Sequence, residues 1–120
     1  MLVHGREIKF KRTVQATCEI AEICPDGDIN KFVELSDLGY STSQKAAAVL
    51  VCALARGYEL SRKYEEPGYV PQELTVEEVL SLDIPEYMAL VDEAVEVFKQ
   101  DAKTTVETEP VKGKNAEAAE

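Results

Sequence analysis

The sequence predicts a mainly α fold: one small helical domain over residues 1–102, opened by a short N-terminal β-strand or hairpin and followed by a disordered tail over residues 103–120. Three observations carry this. Ala46 to Ala55 is apolar at every position inside the longest apolar stretch of the chain, STSQKAAAVLVCALARGYELSRKY from Ser41 to Tyr64. That run is too continuous for a helix with one face in water, so both of its sides are to be covered by other elements or by another subunit. Next, Tyr87, Met88, Val91, Ala94, Val95 and Phe98 recur at helical spacing, opposite Glu86, Asp92, Glu93 and Glu96. Finally, Val106 and Val111 are the sizeable apolar residues of the tail, too few to order it.

At the N-terminus, Ile8 and Phe10 alternate with charged residues in REIKFKR, after Leu2-Val3 and His4-Gly5. This reads as one amphipathic strand or as a hairpin turning at His4-Gly5, a weaker turn signal than Asn-Gly. A helix then starts at or near Thr13 and carries Val14, Ala16, Thr17, Ile20, Ala21 and Ile23 on one face. Pro25 turns Cys24 away from helical angles and Asp26-Gly27 reverses the chain. Asp28 caps a second short helix with Ile29, Phe32, Val33 and Leu35 on its apolar side, forming a helical hairpin with the first.

Ser41 with Gln44 three residues on has the form of a capping box and sets the expected start of the central helix. Near Gly57 that helix is expected to bend or become one-sided, and Pro67-Gly68 ends it. Pro67, Gly68 and Pro71 make the following stretch a loop. Thr75 with Glu78 is a second capping box, opening a short helix through Val76, Val79, Leu80 and Leu82. Pro85 suits the first turn of the last helix. The expected core contains Ile20, Phe32, Val49, Leu50, Cys52, Leu54, Val91, Val95 and Phe98.

Acidic residues number 23 against 13 basic ones, a net charge of −10. Phosphate neutralisation needs a clustered excess of Lys and Arg, so nucleic acid is not an expected partner. The charge is uneven. Arg6, Lys9, Lys11 and Arg12 make the first dozen residues basic, whereas Lys99 is the one base between Glu65 and Asp101. A basic end meeting the acidic end of a neighbour leads to an expected homo-oligomer. Cys18, Cys24 and Cys52 make an odd count without a Cys-x-x-Cys pair, which fits a reducing cytoplasm and neither a disulfide framework nor a zinc site. No signal-peptide pattern opens the chain, and Lys45 and Arg56 flank the apolar run too closely for a membrane span.

No catalytic, cofactor-binding or metal-ligating constellation stands out, and no enzyme is expected. His4, the single histidine, reads as a turn residue. The three cysteines read as structural. Glu86, Asp92, Glu93 and Glu96 lack the loop spacing and glycine of an EF-hand and read as a solvated face. The candidate partner-binding residues are Tyr40, Tyr58, Tyr64 and Tyr69, around the ends of the central helix and its exit loop. Tyrosine is enriched at interfaces, and equally these rings can staple loops to the core.

In layout the chain resembles the tail assembly chaperones of long-tailed bacteriophages. The resemblance covers roughly residues 3 to 101 and rests on an HGREIKF strand leading into TVQATCEIAEIC, a second small helix, KAAAVLVCALARGYEL, LTVEEVLSL, and a last helix with DEAVEVF. It implies a non-enzymatic protein of phage or prophage, working in the host cytoplasm and absent from the mature virion. Such a protein binds and solubilises the tape measure protein and helps recruit tail tube subunits. It supplies no residue-level motif to carry over. The competing expectation is a small helical bacterial or prophage interaction protein that oligomerises through its central helix. The resemblance further implies a longer form made by ribosomal frameshifting near the end of the gene. Lys112-Gly113-Lys114 is one of the few tripeptides here whose codons can spell a slippery heptamer.

Overall fold

The chain folds around one long helix. The computed structural model describes residues 1–108, with side chains described over residues 1–100. In order come β1 (Leu2–Val3), β2 (Arg6–Glu7), α1 (Val14–Ile23), a 3-10 turn (Pro25–Gly27), a 3-10 segment (Ile29–Asp37), α2 (Tyr40–Glu65), α3 (Val76–Leu80) and α4 (Ile84–Thr108). The fold is mainly α, with a two-stranded hairpin at its start. The helix α4 continues past Ala102 into the segment expected as a tail, whose remaining residues, 109–120 with Lys112-Gly113-Lys114 among them, lie outside the described residues.

The hairpin is settled by its turn. His4 and Gly5 have φ of 52° and 79°, the paired positive angles of a type I′ turn, and β1 and β2 pair antiparallel with Val3 opposite Arg6. Alternation then buries Val3 and Ile8 while Leu2 and Glu7 face out. Thr13 caps α1, its hydroxyl accepting from the Ala16 amide at 3.1 Å. Ala16 and Ile20, one turn apart, face the core. Val14 does not: it is 83% exposed in the first turn of α1, roughly 200° around the helix from Ala16.

The 3-10 winding of Ile29–Asp37 explains another departure from expectation. After a kink at Lys31 the winding is three residues per turn, which aligns Phe32 and Leu35 on one face, and Leu35 is buried with Phe32 and Ile29 packed beside it. Val33 falls off that face and is exposed, although an α-helical reading put it on the apolar side. Asp28 caps the segment as expected, accepting from the Asn30 amide at 2.9 Å.

The helix α2 starts at Tyr40 rather than behind a Ser41 cap. Gly39, with φ of +33°, holds the N-cap position without a side-chain bond, and its carbonyl accepts from the Ser43 amide. Ser41 and Gln44 therefore sit inside the helix and form no capping box. Past Gly57 α2 runs on as one helix to Glu65, before Pro67-Gly68, and its side chains there are half-buried or exposed, the one-sided alternative expected from the sequence. Its middle is covered by elements of its own chain: α1, α3, α4 and the 3-10 segment all pack on it. Leu50, Val51, Ala53 and Leu54 are buried there, as is Cys52. Val49 is half-buried and outside the core, on the same strip of α2 as exposed Lys45 one turn earlier. Phe32, Val91 and Val95 are also half-buried, packed against the core rather than inside it, while Ile20 and Phe98 are buried.

Thr75 and Glu78 form the full capping box of α3. Asp83 accepts the Tyr87 amide at 2.8 Å at the start of α4, with Pro85 in the first turn. Ion pairs lash the layers at the surface. Arg56 on α2 meets Glu19 on α1 at 2.6 Å, and the Met1 amine lies 3.7 Å from Glu93 of α4.

Candidate partner-binding groove

Small side chains create the main surface feature. Ala46 and Ala47 leave α2 low between the 3-10 segment on one side and α4 on the other. The two walls meet at one end, where the rings of Phe32 and Phe98 stand 4.7 Å apart. Arg12 fixes that corner, with its guanidinium 4.1 Å from the Phe98 ring and one nitrogen donating to the Phe98 carbonyl at 3.0 Å. Away from this corner the walls diverge over a hollow of about 330 Å³, walled by Phe32 and Val33 on one side and Val91 and Val95 on the other.

A second hollow of about 240 Å³ continues it toward the start of α2, lined by Tyr40, Ile84, Tyr87 and Met88. Gln44 and Val91 belong to both, so the two are one trough. It follows α4 from Ile84 to Lys99, roughly 22 Å at the rise of an α-helix. Large apolar side chains along it stand in solvent: Val33 70%, Tyr40 73%, Ile84 63% and Met88 56% exposed. Scattered surface hydrophobes are ordinary; several sharing one trough make it the candidate partner site. Tyr87 anchors the floor, buried, with its hydroxyl donating to the Gln44 carbonyl at 3.0 Å and its ionisation pushed up by that burial.

The four tyrosines singled out from the sequence do not come together. Tyr40 lies at the mouth of the trough. Tyr64 is at the far end of α2, roughly 36 Å away along the helix axis, exposed, with Lys63 beside its ring. Tyr58 is half-buried under Lys9, whose ammonium is 5.9 Å from the ring. Tyr69 staples the exit loop: its hydroxyl donates to the Glu59 carboxylate, which also accepts the Gln72 amide at 2.9 Å, and Arg62 stacks over its ring at 4.2 Å. Sequence reasoning did not single out Val33, Ile84 or Met88 as surface residues. The available signal was the width of the α4 stripe, which holds more apolar residues than one packed face can use.

Cys52 is buried, and desolvation pushes its thiol up to about 11; burial raises Cys24 as well, whose sulfur donates to the Ile20 carbonyl at 3.3 Å. Cys18 is exposed on α1. Among the described residues no three His, Cys, Asp or Glu side chains group as a metal site, and no helix is long and apolar enough to cross a membrane. No known protein family, curated protein or solved structure matches this chain.

Proposed function

We propose that this protein is a phage tail assembly chaperone that binds the tape measure protein, keeps it soluble, and helps bring tail tube subunits to it in the host cytoplasm. The trough between the 3-10 segment, α2 and α4 is the observation that supports the reading. A tape measure is a long helical protein with exposed apolar stripes, and a trough walled by Val33, Val91 and Val95 and flanked by Tyr40, Ile84 and Met88 suits a helix laid apolar side down. A net charge of −10 suits the second requirement, since a chaperone that covers an aggregation-prone stripe must keep the pair apart from other pairs. Single contacts of this size are weak, and many copies along one tape measure hold it together by their number.

The test is co-expression of the full chain with the tape measure protein of the same phage or prophage genome. The reading requires the tape measure to stay in the soluble fraction and to co-purify with this chain; precipitation at the level seen without the chain contradicts it. The competing idea, self-association through the central helix, has less surface to use, because most of the middle of α2 is buried under its own chain and the trough floor is what it leaves open.

A further inference from the structure

The charges around the trough are unequal, and they bear on what lies in it. Asp92 lines the trough on the α4 side, and Glu96 follows one turn later on the same edge, exposed. Across the trough, the 3-10 segment exposes Glu34 and Asp37 beside the lining residues Val33 and Ser36. Lys99 and Arg12 stand at the Phe32–Phe98 end as the basic exceptions.

A second copy of this chain is a poor match for that rim. It brings the same net charge of −10, and several of its cations already have partners within the chain. Arg6 donates to the Glu73 carbonyl at 2.9 Å, Lys31 holds Asp26, Arg56 holds Glu19, and Arg62 holds Glu66. Trough against trough would set acidic rim on acidic rim, the arrangement that charge complementarity disfavours.

We infer that the occupant of the trough is a different chain: an amphipathic helix of about four turns whose apolar stripe is bordered by Lys or Arg. The inference rests on the reading of the trough as a partner site and adds the chemical character of the partner. Apolar contact with Val33, Met88, Val91 and Val95 gives the hold, and the acidic rim selects among apolar helices by the charge of their flanks.

The experiment uses the full chain, labelled with nitrogen-15, and two synthetic helical peptides of the same length with one shared leucine stripe, bordered in one by lysine and in the other by glutamate. The lysine-bordered peptide is expected to bind about tenfold more tightly at low salt, with the gap closing as salt rises. Its shifts should centre on the amides of Ala47, Met88 and Val91. The double variant Asp92→Lys with Glu96→Lys should shift the preference toward the glutamate-bordered peptide. Equal affinity of both peptides at the trough overturns the charge inference and leaves the partner site standing. Shifts centred elsewhere, or none with either peptide, overturn both. A dimer by light scattering, with the amides of Ala47, Met88 and Val91 shifting as the free protein is concentrated, also overturns the inference.

Discussion

The backbone carbonyl of Lys11 lies so close over Gly57 that a β-carbon on that glycine would sit 2.4 Å from its oxygen, well inside van der Waals contact. The Lys11 amide donates to the Leu54 carbonyl at 3.0 Å, so the linker from the hairpin to α1 is seated directly on α2 at this point. Thr13, the cap of α1, is the next neighbour, its hydroxyl 3.2 Å from the same position. Gly57 is therefore a crossing point, and it places both the hairpin and the start of α1.

Replacing Gly57 with Ala tests this crossing. In a solvated helix the change would stabilise by about 1 kcal/mol through helix propensity. Here the obstruction is backbone, so the linker has to shift, at an overpacking cost of about 1 to 3 kcal/mol. The expected result is net destabilisation, read as a lower urea midpoint. A higher midpoint would mean the linker is not seated on α2.

Leu50 and Val49 are neighbours in sequence with opposite environments. Leu50→Ala should cost about 2 to 5 kcal/mol, as truncations at fully buried sites do, whereas Val49→Ala on the Lys45 strip should cost about 1 kcal/mol or less. Equilibrium unfolding of the two variants distinguishes them, and equal losses would misplace the face of α2 that meets the core.

Most local signals in this chain were readable, the Ser41–Gln44 box excepted because Gly39 holds that N-cap position, and distant ones were not. The Thr13 cap, the Thr75–Glu78 box and the turn at His4-Gly5 each depend on a few adjacent residues, and each formed. Gly57 was read as a place where the helix bends or becomes one-sided, because a glycine weakens any helix, while its packing role depends on a carbonyl far away in sequence. Val33 was misplaced because a period of 3.6 was applied to a segment wound at three residues per turn. The trough was half legible. The stripe of α4 was visible, but which members of it stay uncovered is decided by the alanines of α2 opposite, and no pattern within α4 carries that information.

The buried thiol makes stability fall at alkaline pH. Cys52 is neutral when folded, with its ionisation moved from 9.0 up to about 11, so its contribution is complete below pH 9 and is lost as pH rises from 9 toward 11. The loss is of order 2 kcal/mol from this group, with Tyr87 and Cys24 adding in the same direction. Urea midpoints measured between pH 8 and 11 should fall, and less steeply in Cys52→Ala against its own starting value. In the folded protein a thiol reagent should label Cys18 first. Prompt labelling of Cys52 would show that the core around Leu50 and Leu54 opens easily.

The proposed frameshift concerns the coding sequence. If the phage chaperone reading holds with its longer form, the codons of Lys112, Gly113 and Lys114 spell G-GGA-AAA or G-GGA-AAG, on which both tRNAs can re-pair one nucleotide back. Any other codons at those positions remove slippage there.

The central claim is that the trough holds a tape measure helix, and a pull-down with paired variants meets it most directly. Met88→Asp puts a charge on the trough, and Val14→Asp puts the same charge on a still more exposed residue of α1 away from it. Both side chains are exposed, so both variants should fold, which circular dichroism verifies. The account predicts that Val14→Asp retains the tape measure protein like the wild type, and that Met88→Asp loses about tenfold or more of its affinity. Equal retention by the two variants, or a loss confined to Val14→Asp, would contradict it.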